Sequence, residues 1–374
     1  MTNFKSSIYH NLINIPGLRT NRKILVIESD DWGSIRMPSK NVYFQLLKAG
    51  VRVDKCPYCK NDSLETMDDL SFLFDALISI KDKNGNSAII TANTLVANPD
   101  FNRIRESAYN VYTYKKITET YKEIKGCERN LELWKQGKDS GCFEVQSHGR
   151  EHLNINRWMH YLKSGFSETL LAFNLGVYGI STTITTEKRK SFLAAFEFES
   201  EKEEQIVNGI AEDGLIIFKE IFGYNSKSFI APNYAWGKSL EYILKNNGVE
   251  YIQGGQIHSY CNVDGKNMSK RLRYTGNKNQ IGQFDLARNA FFEPVESPDK
   301  DWVNICLSQI NRAFRWGHPA IICSHRANFV SSLNRKNRDQ NLKMLMKLLL
   351  TIKKNWPNVE FMSSAQLGDF IKNR

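Results

Sequence analysis

Two carboxylates, Asp30 and Asp31, stand side by side in the stretch I-E-S-D-D-W-G-S (27–34), directly behind the apolar run R-K-I-L-V. Adjacent carboxylates repel unless a cation, a proton or good solvation divides their roles. Further along, Q-S-H-G-R-E-H (146–152) supplies His148 and His152, and S-H-R (324–326) supplies His325. If the chain turns helical behind its strand, imidazoles four apart point the same way. Two neutral imidazoles and one carboxylate form a familiar set for a divalent metal with a position left open for water; Asp31 is the natural third ligand. A metal makes its water more acidic, and a neighbouring carboxylate, Asp30, can take the proton. His325 can give one to a leaving group. Each fragment also has a plainer alternative. Asp-Asp before Gly is common in turns, two histidines four apart can cap a helix or lie on the surface, and a lone histidine can be buried against backbone.

These residues act together only if the fold delivers them to one place. Runs at 23–28, 87–96, 142–147, 228–232, 250–255, 319–324 and 359–364 read as strands. Helical patterns at about 42–50, 63–85, 236–247, 300–314 and 334–354 lie between or after them. Strand then helix, repeated about seven times, argues for a parallel sheet covered by helices. Runs apolar on both faces, such as A-I-I-C (320–323), fit buried parallel strands. Active sites in such folds form where strands finish. Three of the seven histidines fall there, with Asp30 and Asp31. Three segments break the rhythm: a polar, Tyr- and Lys-rich stretch at 103–140, an extra helical section at 165–222 with the acidic patch E-F-E-S-E-K-E-E, and an expected β-hairpin at about 256–287. They read as decorations on one barrel spanning 1–374.

Hydrophobic residues make up 41% of the 374-residue chain and charged residues 24%, as in an ordinary globular protein. No run approaches the ~20 apolar residues that span a bilayer. The first residues lack the apolar core and cleavage site of a secretory signal, so the expected location is cytoplasmic. Seven cysteines without regular spacing do not make a disulfide framework. C-P-Y-C (56–59) is a lone C-x-x-C; without a second pair at zinc-ribbon spacing it reads as a loop with two reduced thiols before a metal or redox site. The net charge of +11 favours anionic partners. No aromatic-interleaved basic motif supports nucleic acid.

S-D-D-W-G (29–33) resembles the T-F-D-D-G motif of the polysaccharide deacetylase family, also called carbohydrate esterase family four. H-G-R-E-H (148–152) resembles its H-[ST]-x-x-H metal motif, A-P-N-Y-A-W-G (231–237) its R-x-P-Y-G motif, and I-I-C-S-H (321–325) its closing L-x-H motif. V-E-F-M-S-S-A-Q-L-G-D-F (359–370) resembles its last strand and helix, so the likeness runs in order from about 22 to 372. It implies a distorted (β/α)7 barrel that removes acetyl groups from N-acetylated sugars with a divalent metal. It also implies that Asp30 is the base, that Asp31, His148 and His152 bind metal, and that His325 is the acid. The metal is zinc foremost, with cobalt or nickel able to substitute. Tyr234 matches a tyrosine whose backbone amide helps to hold the oxyanion. The neighbouring Asn233 and Trp236 belong to the same substrate-binding motif.

The chain departs from this pattern in places. Ala231 stands where the family has an arginine that pairs with the base, and Arg288, in A-R-N-A-F-F-E-P, is the foremost replacement, before Arg150 and Arg326. The family's Asp-Trp motif is missing after Y-I-Q-G-G; D-K-D-W (299–302) falls late and can simply open a helix. Trp32 is new and could wall the sugar site. The expected substrate is an acetylated carbohydrate, phosphate-bearing or lipid-linked. A glycoside hydrolase on a related barrel and an inactive sugar-binding barrel are the competing readings. The former needs two carboxylates flanking a bond, which an adjacent pair beside two histidines suits less well than it suits a metal.

Overall fold

The computed structural model describes residues 16–263 and 269–374. Fourteen strands occur among them: β1 (Lys23–Trp32), β2 (Ile90–Leu95), β3 (Ala97–Pro99), β4 (Tyr114–Lys116), β5 (Phe143–Gly149), β6 (Ser228–Phe229), β7 (Ala235–Trp236), β8 (Tyr251–Gly254), β9 (Ile257–Tyr260), β10 (Ser269–Leu272), β11 (Phe284–Ala287), β12 (Ala290–Phe291), β13 (Ala320–His325) and β14 (Val359–Phe361). Nine form one sheet in the order β11-β8-β6-β5-β2-β1-β13-β12, with β14 paired to the start of β1. Every pairing in it is parallel. β1 is buried from Ile24 to its end: its apolar half, Ile24–Ile27, suits a central parallel strand, and its polar half, Glu28–Asp31, is buried with it.

The sheet's two edge strands, β11 and β12, are joined by only Arg288 and Asn289. The Arg288 N–H donates to Gly254 O on one edge (2.9 Å), and the Asn289 N–H donates to Ile321 O on the other (3.1 Å). Two consecutive residues therefore bridge both edges, and the sheet is curled into a distorted barrel, as expected. Its seam is closed by this strap, for β11 and β12 do not pair in the ladder.

The expected seven strands are all present, and β11 and β12 are additional. The stretch 256–287 contains the antiparallel pair β9 and β10, but its last residues are the sheet strand β11, too short and too polar at its flanks to show a period. The stretch 103–140 is not merely decorative either. Its helix Asn130–Asp139 buries Trp134 against Tyr121, Phe143 and Phe222. Gly137 lets that helix approach β5, because a Cβ there would meet the Phe143 Cβ at 2.8 Å. In 165–222, the 22-residue helix Glu201–Phe222 buries Val207, Ala211, Leu215 and Phe218. The second half of the acidic patch is its first turn: Ser200 caps it, and Glu201, Glu203 and Glu204 complement the helix dipole, while Glu197 and Glu199, ahead of the cap, pair with Arg157. The helix expected over 63–85 spans Met67–Ile78, started by a Thr66–Asp69 capping box.

Candidate active site

Side chains alternate faces along a strand, so Asp30 and Asp31 should point apart. The backbone uses this. The β1–β2 register slips between Ser29 and Trp32, and Asp31 is left-handed (φ 74°), a conformation rare outside Gly, Asn and Asp. Asp30 faces the barrel interior, while Asp31 faces the end of β5. His148 is itself skipped by the β2–β5 register, which steps from Ser147 to Gly149. The next helix starts only at Ile155. The two histidines therefore converge through a bulge and a bend, not along a helix as the spacing suggested.

Asp31 Oδ1 lies 3.3 Å from His148 Nε2 and 3.5 Å from His152 Nε2. His148 Nδ1 stands 2.9 Å from Ile230 O, and a carbonyl only accepts, so Nδ1 carries a proton; Nε2 is then the nitrogen left for a cation. Burial pulls the His152 imidazole down to about 4, against the Asp31 charge, so this ring is neutral at working pH. Burial opposes the Asp31 carboxylate, but the histidines around it, the His325 imidazolium among them, hold it well below the usual range. Asp31 Oδ1 and His148 Nε2 are buried without a hydrogen-bond partner. Buried polar atoms are rarely left so. Two imidazoles and a carboxylate with bare, converging lone pairs fit a divalent cation. Among the described residues one other group, Glu293, Cys323 and His325, has comparable spacing. There, however, His325 Nδ1 already donates to Glu293 Oε1 at 2.6 Å, so these two groups serve each other.

Asp30 is held by Arg288, whose Nη1 and Nη2 donate to Oδ2 and Oδ1 at 2.7 Å each. Asn93 Nδ2 adds a third bond to Oδ1 at 2.7 Å. Burial alone would raise this carboxyl, but Arg288 brings it down to about 2. Glu28, two residues earlier on the same face, receives Arg288 Nε at 2.6 Å. The structure thus brings the arginine of the barrel seam onto Asp30, while Ala231 is buried. Arg150 and Arg326 are engaged elsewhere, with Glu151 and Asp213 and with Asp62 and Glu65 respectively.

His325 Nδ1 donates to Glu293 Oε1 at 2.6 Å and lies 3.3 Å from the Tyr58 hydroxyl, while Nε2 is 3.9 Å from Asp30 Oδ2. Burial disfavours its charged form, but the Glu293 carboxylate outweighs this and lifts His325 to about 10. It is an imidazolium over the whole physiological range.

Other expectations are corrected. Trp32 is 1% exposed; it meets the Phe143 ring edge-on at 5.0 Å and donates Nε1–H to Ser29 Oγ, so it is core and not a sugar wall. Trp236 is equally buried, packed on His258. The Tyr234 amide is bonded to Ala231 O in its own turn (3.0 Å) and is not free for an oxyanion; its hydroxyl instead accepts from Arg288 Nη1 at 2.9 Å. Asn233 is exposed at the rim, its Nδ2 3.5 Å from Ser191 Oγ. Asp301 of D-K-D-W caps the helix Trp302–Arg315. Sequence reasoning missed Glu293, Tyr58 and Asn93. Glu293 follows the unrecognised β12, Tyr58 was read only as spacer between cysteines, and Asn93 is a polar residue inside an apolar strand, the one available signal.

The barrel and its strand-end site define an enzyme fold of carbohydrate-acting hydrolases. A family model described as "Glycosyl hydrolase family 57" matches residues 89–284, just over half of the chain. The chain belongs to that family. A structure described as a glycoside hydrolase/deacetylase from Parabacteroides distasonis is similar over 95% of this chain and 72% of its own, with TM-score 0.50 and 9% identity. One described as a polysaccharide deacetylase from Pseudomonas aeruginosa PAO1 is similar over 95% and 92% (TM-score 0.48, 8% identity). A 4-alpha-glucanotransferase from Thermococcus litoralis is similar over 92% of this chain and 40% of its own (TM-score 0.45, 9% identity). The resemblance to polysaccharide deacetylases is borne out at the level of the fold. No curated protein matches by sequence. Among the described residues no helix is long and apolar enough to cross a membrane.

Proposed function

We propose that this protein is a metal-dependent hydrolase that removes an acetyl group from an N- or O-acetylated sugar of a glycan precursor. The observation that carries the reading is the set of bare, buried ligand atoms on Asp31 and His148, with His152 beside them, next to the separately held Asp30. Asp31, His148 and His152 would hold the cation, zinc foremost. When bound, it would supply Lewis acidity toward water and the acyl oxygen. Asp30 takes the proton of the attacking water. A carboxylate held near 2 is a weak base, so its value lies in being always ionised and fixed by Arg288 and Asn93. His325, kept protonated by Glu293, gives its Nε2 proton to the departing amine or alkoxide. One water and one acetyl sugar thus become acetate and the free sugar. Asn233, exposed at the rim, is offered for substrate contact. The net charge of +11 supports a phosphate-bearing or lipid-linked substrate.

The family match supports a second reading, a glycoside hydrolase. One experiment separates the two. The zinc-loaded protein is given acetylated and non-acetylated oligosaccharides, and both acetate and new reducing ends are measured. Acetate without chain cleavage supports the deacetylase; new reducing ends without acetate overturn it.

A further inference from the structure

The loop C-P-Y-C has no part in the chemistry above beyond its tyrosine. Cys56 caps the short helix Pro57–Asn61, and its sulfur accepts the Cys59 backbone N–H at 3.4 Å. The Cys56 sulfur therefore already lies over Cys59. Arg36 stands beside the pair. It is 92% buried, its Nε has no hydrogen-bond partner, and no carboxylate lies within ion-pair distance of it among the described residues. Burial works against its charge, and the groups that favour it are Cys59, Cys56, Tyr178 and, further on, Asp31. A buried guanidinium without a carboxylate is costly unless another anion serves it. We infer that Cys56 and Cys59 form a reversible dithiol–disulfide couple, with Cys56 the attacking sulfur and Arg36 the cation that serves it.

The remaining geometry agrees. Cys56 is 6% exposed and Cys59 1%, which fixes the order of attack. The Cys59 thiol and Arg36 hold the Cys56 thiol well below its ordinary value, whereas burial raises Cys127, Cys142, Cys261, Cys306 and Cys323. A thiolate beside a cation is the reactive form. The oxidant is a low-molecular-weight disulfide, RSSR. The Cys56 thiolate attacks one of its sulfurs, the S–S bond breaks and one thiolate leaves with the electron pair. Cys59 then loses its proton and attacks the Cys56 sulfur, and the second thiolate leaves. Two protein thiols are oxidised and one disulfide is reduced to two thiols. Tyr58, between the sulfurs, donates its hydroxyl to Glu296 Oε1 at 2.9 Å and lies 3.3 Å from His325 Nδ1, so the couple sits one residue from the candidate site.

The test treats the full chain with excess oxidised glutathione, blocks remaining thiols with iodoacetamide and maps each cysteine by peptide mass. The 56–59 peptide should lose two hydrogens, escape alkylation, and regain both thiols in reduced glutathione. Cys59→Ser should accumulate a glutathione adduct at Cys56, and Cys56→Ser should leave Cys59 unmodified. In the untreated chain at neutral pH, Cys56 should alkylate at least about tenfold faster than Cys142 or Cys306, and Arg36→Met should remove at least about tenfold of its rate, since each pKa unit is a factor of ten in thiolate. Full alkylation of both cysteines after oxidation, or a Cys59→Ser chain without adduct, would overturn the inference. So would a Cys56 no faster than Cys142. None of these readouts depends on hydrolase activity, so the inference and the proposed function fail separately.

Discussion

Replacing Glu293 by Gln should move the alkaline limit of activity. Gln keeps the shape, and its carbonyl can still accept from His325 Nδ1; the Asn328 Nδ2 bond to the other oxygen, 3.0 Å, is given up, because there two amide N–H donors would face each other. What also disappears is the charge 2.6 Å from the imidazolium. That charge outweighs a burial that alone would push His325 below 6.5, and lifts it to about 10. An opposite charge at this distance typically moves a pKa by ~1–3 units, worth about 1.4–4 kcal/mol. The alkaline fall of kcat/KM should therefore sit near pH 10 in the parent chain and about 1–3 pH units lower in Glu293→Gln. The assay is acetate release from an acetylated oligosaccharide between pH 5 and ~11. Stability carries the same sign. A histidine whose folded pKa is raised stabilises fully below its unfolded value near 6.5, and that contribution fades as pH rises through about 10. The parent's advantage over the variant in thermal unfolding should thus be larger at pH 6 than at pH 10. A variant whose alkaline limb does not move would refute the assignment of His325 as the acid sustained by Glu293.

Other outcomes follow from the same geometry. Asp31→Asn should lose metal and turnover together, while Asp30→Asn should keep the metal and lose ~10²–10⁴-fold in kcat; metal analysis and acetate release on both variants check this, and equal metal loss would sink the division of labour. Arg288→Met should raise the acid limb of kcat/KM relative to the parent, because the group that most strongly offsets the burial of Asp30 is gone, while His325 and the Asn93 bond still favour the ionised form. It should also destabilise by about 3–5 kcal/mol, leaving Glu28 and Asp30 unpaired. Trp32→Ala should cost about 3–5 kcal/mol in denaturant unfolding, as a buried aromatic does; a change confined to KM would restore the sugar-wall reading. Gly214→Ala would bring a Cβ within 2.8 Å of Arg150 N, and should lower stability by about 1–3 kcal/mol.

The sequence exposed most of the sheet because buried parallel strands are apolar on both faces, and this signature needs no knowledge of partners. It also exposed the acidic pair and the three histidines, since these types are rare at strand ends without a task. It did not show β11 or β12, which are four and two residues long and take their conformation from neighbours already in place. Without β12, Glu293 had no strand end to mark it. Trp32 and Trp236 were misjudged for a related reason. Composition says that an aromatic beside a site can line it, but only packing tells which way the indole turns, and here both turn inward. The helix Asn130–Asp139 was read as insertion because its buried set is small, with Trp134 its one large apolar residue. No local pattern pairs Arg288 with Asp30, 258 positions apart; that pairing is expected from the family resemblance, with Ala231 in the usual arginine's place.

The two-residue strap at the seam bears on how the site comes into being. β11 adheres to β8 and β12 to β13, and the two residues between them hold those edges side by side once both ladders exist. The guanidinium that fixes Asp30 is carried by this same short link, so the ion pair at the base depends on the closure of the barrel. The reverse also holds: a small opening at this one point would uncouple Asp30 from its cation and leave the β1 ladders intact. The amide hydrogens of Arg288 and Asn289 should accordingly exchange with solvent through a local event cheaper than global unfolding, and loss of their protection should track loss of turnover more closely than does loss of the central strands.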